Sequence, residues 1–74
     1  MNIDSAKKRR ELLDHYMSIR SKILSIDRIR IEYGKKKQLK VIHTNGRIDT
    51  FTGTDYAVDK FYREFRRIVL KIYI

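Results

Sequence analysis

The sequence predicts an α+β domain in which a three-stranded antiparallel sheet is covered on one face by two helices. Apolar residues recur with helical spacing near both ends of the chain, and they alternate with polar residues between positions 26 and 52. An Asn-Gly pair marks a tight turn inside the alternating part. Because each helix and the sheet have one apolar face, the simplest arrangement places both helices on the same side of the sheet.

The length and composition are those of a single small domain. The chain has 74 residues, of which 42% are apolar and 36% charged, too apolar for disorder and too interrupted by charge for a membrane span. We therefore expect one domain over residues 1–74. There is no cysteine, and no apolar segment follows Met1, so disulfides are excluded and a cytoplasmic location is expected.

The first helix is predicted over residues 5–24. Asp4 or Ser5 can cap its N-terminus. Its apolar side spans an arc of about 160° at 100° per residue, and two parts of this arc are expected to pack on different neighbours. The residues of the arc are Leu12, Leu13, Tyr16, Met17, Ile19, Ile23 and Leu24.

Two strands are predicted next, over residues 26–33 and 39–44, with a turn at residues 34–38. Apolar and polar residues alternate in both segments. A turn with an odd number of residues keeps the two apolar faces together, and we expect that register. The predicted pairs are Tyr33 with Leu39, Ile31 with Val41 and Ile29 with His43.

Asn45 and Gly46 predict a two-residue type I′ turn, which places the third strand at residues 47–52. Pairing outward from this turn fixes which side chains share a face. On the inner face the predicted pairs are His43 with Ile48, Val41 with Thr50 and Leu39 with Thr52. On the outer face they are Lys40 with Phe51 and Ile42 with Asp49.

The second helix is predicted over residues 54–73, with Thr54 or Asp55 as its N-cap. Its apolar arc contains two of the three phenylalanines, so we expect it to supply the largest share of the core. The residues of this arc are Ala57, Val58, Phe61, Tyr62, Phe65, Ile68, Val69, Ile72 and Tyr73.

Charge gives the strongest indication of function. The 18 Lys and Arg residues exceed the 9 Asp and Glu residues, and a net charge of +9 is typical of a protein that binds a polyanion. In the predicted register, basic side chains surround an exposed Phe51 on the solvent face of the sheet, which suits phosphates and a stacked base. We therefore expect a non-enzymatic nucleic-acid-binding module. The predicted binding residues are Arg28, Arg30, Lys35, Lys36, Lys37, Lys40, Arg47 and Phe51.

Two alternatives are left open by the sequence. The solvent face of the last helix is a second candidate surface for nucleic acid, formed by Lys60, Arg63, Arg67 and Lys71. The other alternative is a protein-interaction module, either a homodimer or a small inhibitor or adaptor that docks on an acidic partner protein.

No catalytic residue, metal site or cofactor is predicted. His43 is the strongest enzymatic candidate, but its predicted position faces inward, where a structural histidine is the usual finding. Two histidines without cysteine give no metal site, and three scattered glycines give no phosphate-binding loop. No membrane partner is expected, because the core requires the apolar arc of each helix.

Overall fold

The computed structural model describes residues 1–30 and 37–72. The predicted α+β architecture is confirmed: three antiparallel strands in the order β1-β2-β3 carry both helices on one face. Phe51 on the sheet contacts Tyr16 of the first helix and Phe61 of the second. Within the described residues, no helix is long and apolar enough to cross a membrane. The elements are α1 (Ala6–Ser18), β1 (Ile23–Arg30), β2 (Lys37–His43), β3 (Ile48–Gly53) and α2 (Asp55–Glu64).

Helix α1 ends earlier than predicted. The side chain of Ser5 caps its N-terminus by accepting a hydrogen bond from the backbone of Lys8. After Ser18 a 3₁₀ turn redirects the chain, and the Lys22 carbonyl accepts a hydrogen bond from the backbone of Thr44. The prediction that Ile23 is helical is wrong, because this residue begins β1 and is buried opposite His43.

The register between β1 and β2 also differs from the prediction. Ile29 pairs with Gln38, not His43, and lies on the outer face of the sheet, while Ile26 is buried opposite Val41. The strand begins at Ile23 and contains a bulge before residue 25, so the apolar residues at its start supply the core. The predicted pairs of Val41 with Ile31 and of Leu39 with Tyr33 are also wrong, because Val41 pairs with Ile26 and Leu39 pairs with Arg28. Ile31 and Tyr33 themselves lie outside the described residues.

The hairpin between β2 and β3 has three loop residues, not two. The His43 carbonyl accepts a hydrogen bond from the backbone of Gly46, and the His43 N–H donates to the Arg47 carbonyl. Gly46 has a φ of 91°, as expected for the glycine that closes a three-residue hairpin loop. The extra loop residue reverses both faces of β3. Phe51 therefore points inward and is 3% exposed, whereas Ile48 points outward and is 52% exposed.

Four aromatic rings form the centre of the core. Tyr16 contacts Phe51 and Phe65, with ring centroids 6.1 and 5.3 Å apart. Phe61 contacts the same two phenylalanines at 6.0 and 5.8 Å. The four rings thus form a closed cycle that joins α1, the sheet and the segment from α2 onward.

The first residues of the chain form an element that the sequence did not predict. Asn2 makes a parallel bridge with Thr52, Ile3 is fully buried, and the Asp4 carboxylate accepts a hydrogen bond from the Thr54 N–H at 2.7 Å. A Cβ added at Gly53 would lie 2.7 Å from the Asp4 oxygen that accepts the Thr54 hydrogen bond, so a larger residue there would displace this carboxylate. The contacts hold the N-terminus of α1 beside that of α2.

Helix α2 begins as predicted, with the Thr54 side chain accepting a hydrogen bond from the Ala57 N–H. Its last turn widens into a π-helical segment, Phe65–Val69, in which both end residues are buried. Lys71 then adopts a φ of 54°, which ends the helix. The prediction of helix as far as residue 73 is therefore wrong at Ile72, which is exposed; Tyr73 lies outside the described residues.

The position of Phe51 can be tested by its effect on stability. We expect Phe51→Ala to lower the free energy of unfolding by about 3–5 kcal/mol, the usual range for deleting a buried ring. Ile48→Thr, on the solvent face of the same strand, should change it by about 0.5 kcal/mol or less. Urea unfolding followed by circular dichroism measures both changes. Phe51→Leu replaces the alanine variant if that variant does not fold. Similar losses of stability at residues 51 and 48 would contradict the inward position of the Phe51 ring.

Candidate nucleic-acid interface

The outer face of the sheet is not the basic platform that the sequence predicted. Its central cation is Lys40, which lies between the outward-facing Asp27 and Thr50. The buried ring of Phe51 is unavailable for stacking on a base, so its prediction as an exposed stacking residue is wrong. Arg47 is exposed, but its Nε donates to an oxygen of Asp49 at 3.0 Å.

Three other predicted residues lie on the side of the sheet that carries the helices. Arg28 and Lys37 both reach Asp59 on α2, with nitrogen–oxygen distances of 2.6 and 3.1 Å. Arg30 is the cross-strand partner of Lys37 and shares its face. The prediction that Arg28 and Arg30 face outward is wrong because the predicted register was wrong, and Lys37, which was predicted in the turn, is the first residue of β2. Lys35 and Lys36 lie outside the described residues.

Next to these sheet cations lie the arginines of α2 and of its π-helical segment. The guanidinium of Arg28 lies 5.0 Å from the ring centre of Tyr62, and that of Arg66 lies 5.4 Å from the same centre. Arg66 also donates a hydrogen bond to the Tyr62 hydroxyl at 2.8 Å. We call this region the α2–β1 basic surface; it comprises Arg28, Lys37, Arg63, Arg66 and Arg67.

Asp59 lies within this surface and fixes two of its cations. Burial acts to raise the pKa of Asp59, but the hydrogen bonds and positive charges of Lys37 and Arg28 outweigh burial and hold the pKa below its ordinary value. The carboxylate is therefore ionised at neutral pH. It orients the two side chains and leaves the surface with a clear excess of positive charge.

Arg63 and Arg67 are the most open cations of the surface. Both are exposed, and neither forms an ion pair with any residue in the described ranges. Lys60 projects from the other flank of α2, where its ammonium lies over the ring of Tyr56. The fourth residue of the predicted helical stripe, Lys71, is exposed beyond the end of the helix.

Comparison of the chain with protein-family models, with curated proteins and with solved structures finds no match. The α2–β1 basic surface is therefore defined by the geometry and charge of this chain. We did not predict from the sequence Arg66 of this surface or the two residues that contact its cations, Asp59 and Tyr62. Their spacing of three and four residues places them on one flank of a helix, which is a signal visible in the sequence. Their contact with β1 depends on the tertiary structure.

A second polar cluster surrounds Asp49, which faces inward instead of outward as predicted. Its carboxylate accepts hydrogen bonds from the Tyr16 hydroxyl at 2.7 Å and from Arg47, and it lies 2.8 Å from the Nε2 of His43. The inward orientation predicted for His43 is confirmed, and the residue is buried. Burial and the bond to Asp49 raise the pKa of Tyr16 above its ordinary value. The cluster ties α1 to the β2–β3 hairpin, and its buried imidazole has a structural role.

The same cluster predicts a loss of stability in acid. Burial acts to raise the pKa of Asp49, but hydrogen bonds from His43, Tyr16 and Arg47 outweigh it and lower the pKa. A depressed folded-state pKa contributes stability that is present above the unfolded value of about 3.9 and is lost as the pH falls through the folded value. We expect Asp49→Asn to destabilise the protein at neutral pH and to differ less from the parent in acid.

Urea unfolding at about pH 7 and about pH 3 measures this difference on both sides of the ordinary aspartate pKa. Asp27→Asn is the control, because Asp27 is exposed on the outer face and has no ion pair among the described residues. A destabilisation by Asp49→Asn that is the same at both pH values would contradict the assigned role of the carboxylate.

Proposed function

We propose that this protein is a non-enzymatic nucleic-acid-binding module that contacts phosphates through the α2–β1 basic surface. The observation that supports it is the convergence of cations from two separate elements. Arg28 and Lys37 reach the flank of α2 from the sheet, and the arginines of α2 and its π-helical segment continue the surface. A surface of this charge attracts a polyanion irrespective of its sequence.

The arginines are suited to phosphate because they are held in place before a ligand arrives. A guanidinium has five N–H donors in a planar fork that matches two phosphate oxygens. Tyr62 restrains Arg28 and Arg66 through its ring and its hydroxyl, which reduces the entropy lost on binding. The buried Nε of Arg66 has no hydrogen-bond partner within the described residues.

Asp59 reduces the positive potential of the surface but does not pair with every N–H donor of the neighbouring cations. Arg28 donates one of its five N–H groups to Asp59, and no other hydrogen bond of its side chain is found within the described residues, which leaves N–H groups for a ligand. The proposed interface also keeps Arg30 from the sequence prediction, since it pairs with Lys37. Lys35 and Lys36 lie outside the described residues and stay predictions of the sequence. The proposed interface does not include Lys40, Arg47 or Phe51.

The surface can be tested by comparing two variants of equal net charge. Arg63→Gln/Arg67→Gln removes two cations from the α2–β1 basic surface, and Lys7→Gln/Lys40→Gln removes two from α1 and the outer face of the sheet. If phosphates bind at the former surface, the first variant should weaken binding at least about tenfold and lower the slope of log affinity against log salt by about two. The second variant should stay close to the parent.

Fluorescence anisotropy with labelled single- and double-stranded DNA and RNA, between about 50 and 200 mM salt, measures both quantities. Equal losses in the two variants would mean that total charge governs binding, which contradicts the assigned surface. Absence of binding to all four nucleic acids at the lowest salt concentration would end the proposal.

Removing the charge of Asp59 is expected to raise the affinity for nucleic acid, whereas removing the arginines lowers it. Asp59→Asn frees Arg28 and Lys37 from their shared carboxylate, so nucleic-acid affinity should rise several-fold while thermal stability falls slightly. Asp55→Asn, in the first turn of the same helix, makes the same change in net charge away from these ion pairs. A similar gain from both variants, or a weaker affinity for Asp59→Asn, would contradict a direct role of Arg28 and Lys37.

A further inference from the structure

Helices α1 and α2 are separated by an open groove on the side away from the α2–β1 basic surface. The groove has a volume of about 430 Å³, and its apolar residues are Ala6, Leu13, Met17 and Ile68. Met17 is 43% exposed although it belongs to the apolar arc of α1. The groove therefore leaves apolar surface in water that a second molecule could cover.

Charged side chains line both walls of the groove in a regular order. Arg10 and Asp14 stand on α1, and Lys60 and Glu64 stand on α2. None of these four forms an ion pair with another residue of the described ranges. Arg9 also lines the groove, but it is buried, and its guanidinium donates hydrogen bonds to the carbonyls of Ile3 and Asp4. The other charged residues of the groove are two cations and two carboxylates, whereas the chain as a whole has a net charge of +9.

The two helices run in the same direction, so charges of the same sign stand side by side. Asp4 is bonded to the backbone of Thr54 at the start of the helices, and Tyr16 contacts Phe65 near their ends. The separation in sequence between Asp4 and Arg10 equals that between Thr54 and Lys60. The separation between Asp4 and Asp14 likewise equals that between Thr54 and Glu64. At a rise of 1.5 Å per residue, the cations form one level and the carboxylates form a second level about 6 Å further along.

We propose that this groove is the interface of a symmetric homodimer in which each helix packs antiparallel to its counterpart in a second copy. A two-fold axis that crosses both helices between the two charged levels places each cation of the first level opposite a carboxylate of the second. Arg10 then faces Asp14 of the second copy, and Lys60 faces Glu64 of the second copy. The same operation generates the reciprocal pairs, so the surface is complementary to itself.

Other occupants fit this pattern less well. A nucleic acid or an acidic protein would bring negative charge to Asp14 and Glu64. A second copy arranged parallel to the first would place cations over cations. The antiparallel copy also covers the apolar residues of both grooves, and the pairing of Arg10 and Lys60 with carboxylates limits the repulsion between two chains of high positive charge. This assembly does not use Arg63 or Arg67, so it stands or fails independently of the proposed nucleic-acid site.

A charge swap on α2 tests the arrangement. Glu64→Lys places a lysine opposite Lys60 of the second copy, and the dimer dissociation constant should rise at least about tenfold, which corresponds to about 1.4 kcal/mol. Lys60→Glu/Glu64→Lys exchanges the two charges without changing the net charge. Because each position faces the other across the two-fold axis, this double variant should restore the parental dissociation constant to within about threefold.

Sedimentation of nuclease-treated protein from micromolar to millimolar concentration measures the association, with thermal unfolding as a check that each variant folds. Asp27→Lys, on the outer face of the sheet, makes the same change in net charge as Glu64→Lys and should leave the dimer nearly intact. If a variant on α2 does not fold, Asp14→Lys and Arg10→Glu/Asp14→Lys provide the same comparison on α1. A parent that is monomeric throughout, a double variant that is not restored, or an equal loss with Asp27→Lys would overturn the proposal.

Discussion

The inward position of Phe51 determines how the other parts of the structure are arranged. Its ring contacts Tyr16 on α1 and Phe61 on α2, so both helices pack on the sheet face that carries it. The three-residue hairpin loop sets that face by adding one residue between β2 and β3. With one residue fewer in the loop, the ring would lie in solvent and Asp49 would leave Tyr16 and His43. The register of β3 thus determines both the position of Phe51 in the core and the position of Asp49 in the buried polar cluster.

The fold class could be predicted from the sequence because it depends on periodicity. The helical spacing of α2, the alternation in β2 and the caps at Ser5 and Thr54 are local signals, and each agrees with the structure. The registers could not be predicted in the same way. Asn45 and Gly46 are compatible with loops of two or three residues, and only the packing of Phe51 against the helices selects the longer one.

The boundary between α1 and β1 and the location of the basic surface could not be predicted from local sequence signals either. Ile19 and Ile23 fit the apolar arc of a helix, but in the structure Ile23 is buried as the first residue of β1. This early start shifts Arg28 from the predicted solvent face to Asp59 on α2. The excess of positive charge is a property of composition, whereas the grouping of Arg28 with Arg66 around Tyr62 depends on which face each strand residue occupies.

The pairing of the first residues with β3 has a consequence for how this small sheet meets other chains. Backbone groups of Met1 and Ile3 bond to Thr52, which covers part of an edge that would otherwise accept another strand. At the opposite edge, the charged residues Asp27, Arg28 and Arg30 stand along β1 and discourage continuation of the sheet. Edge-to-edge growth into ribbons or fibrils is therefore hindered at one edge by the chain's own backbone and at the other by charge.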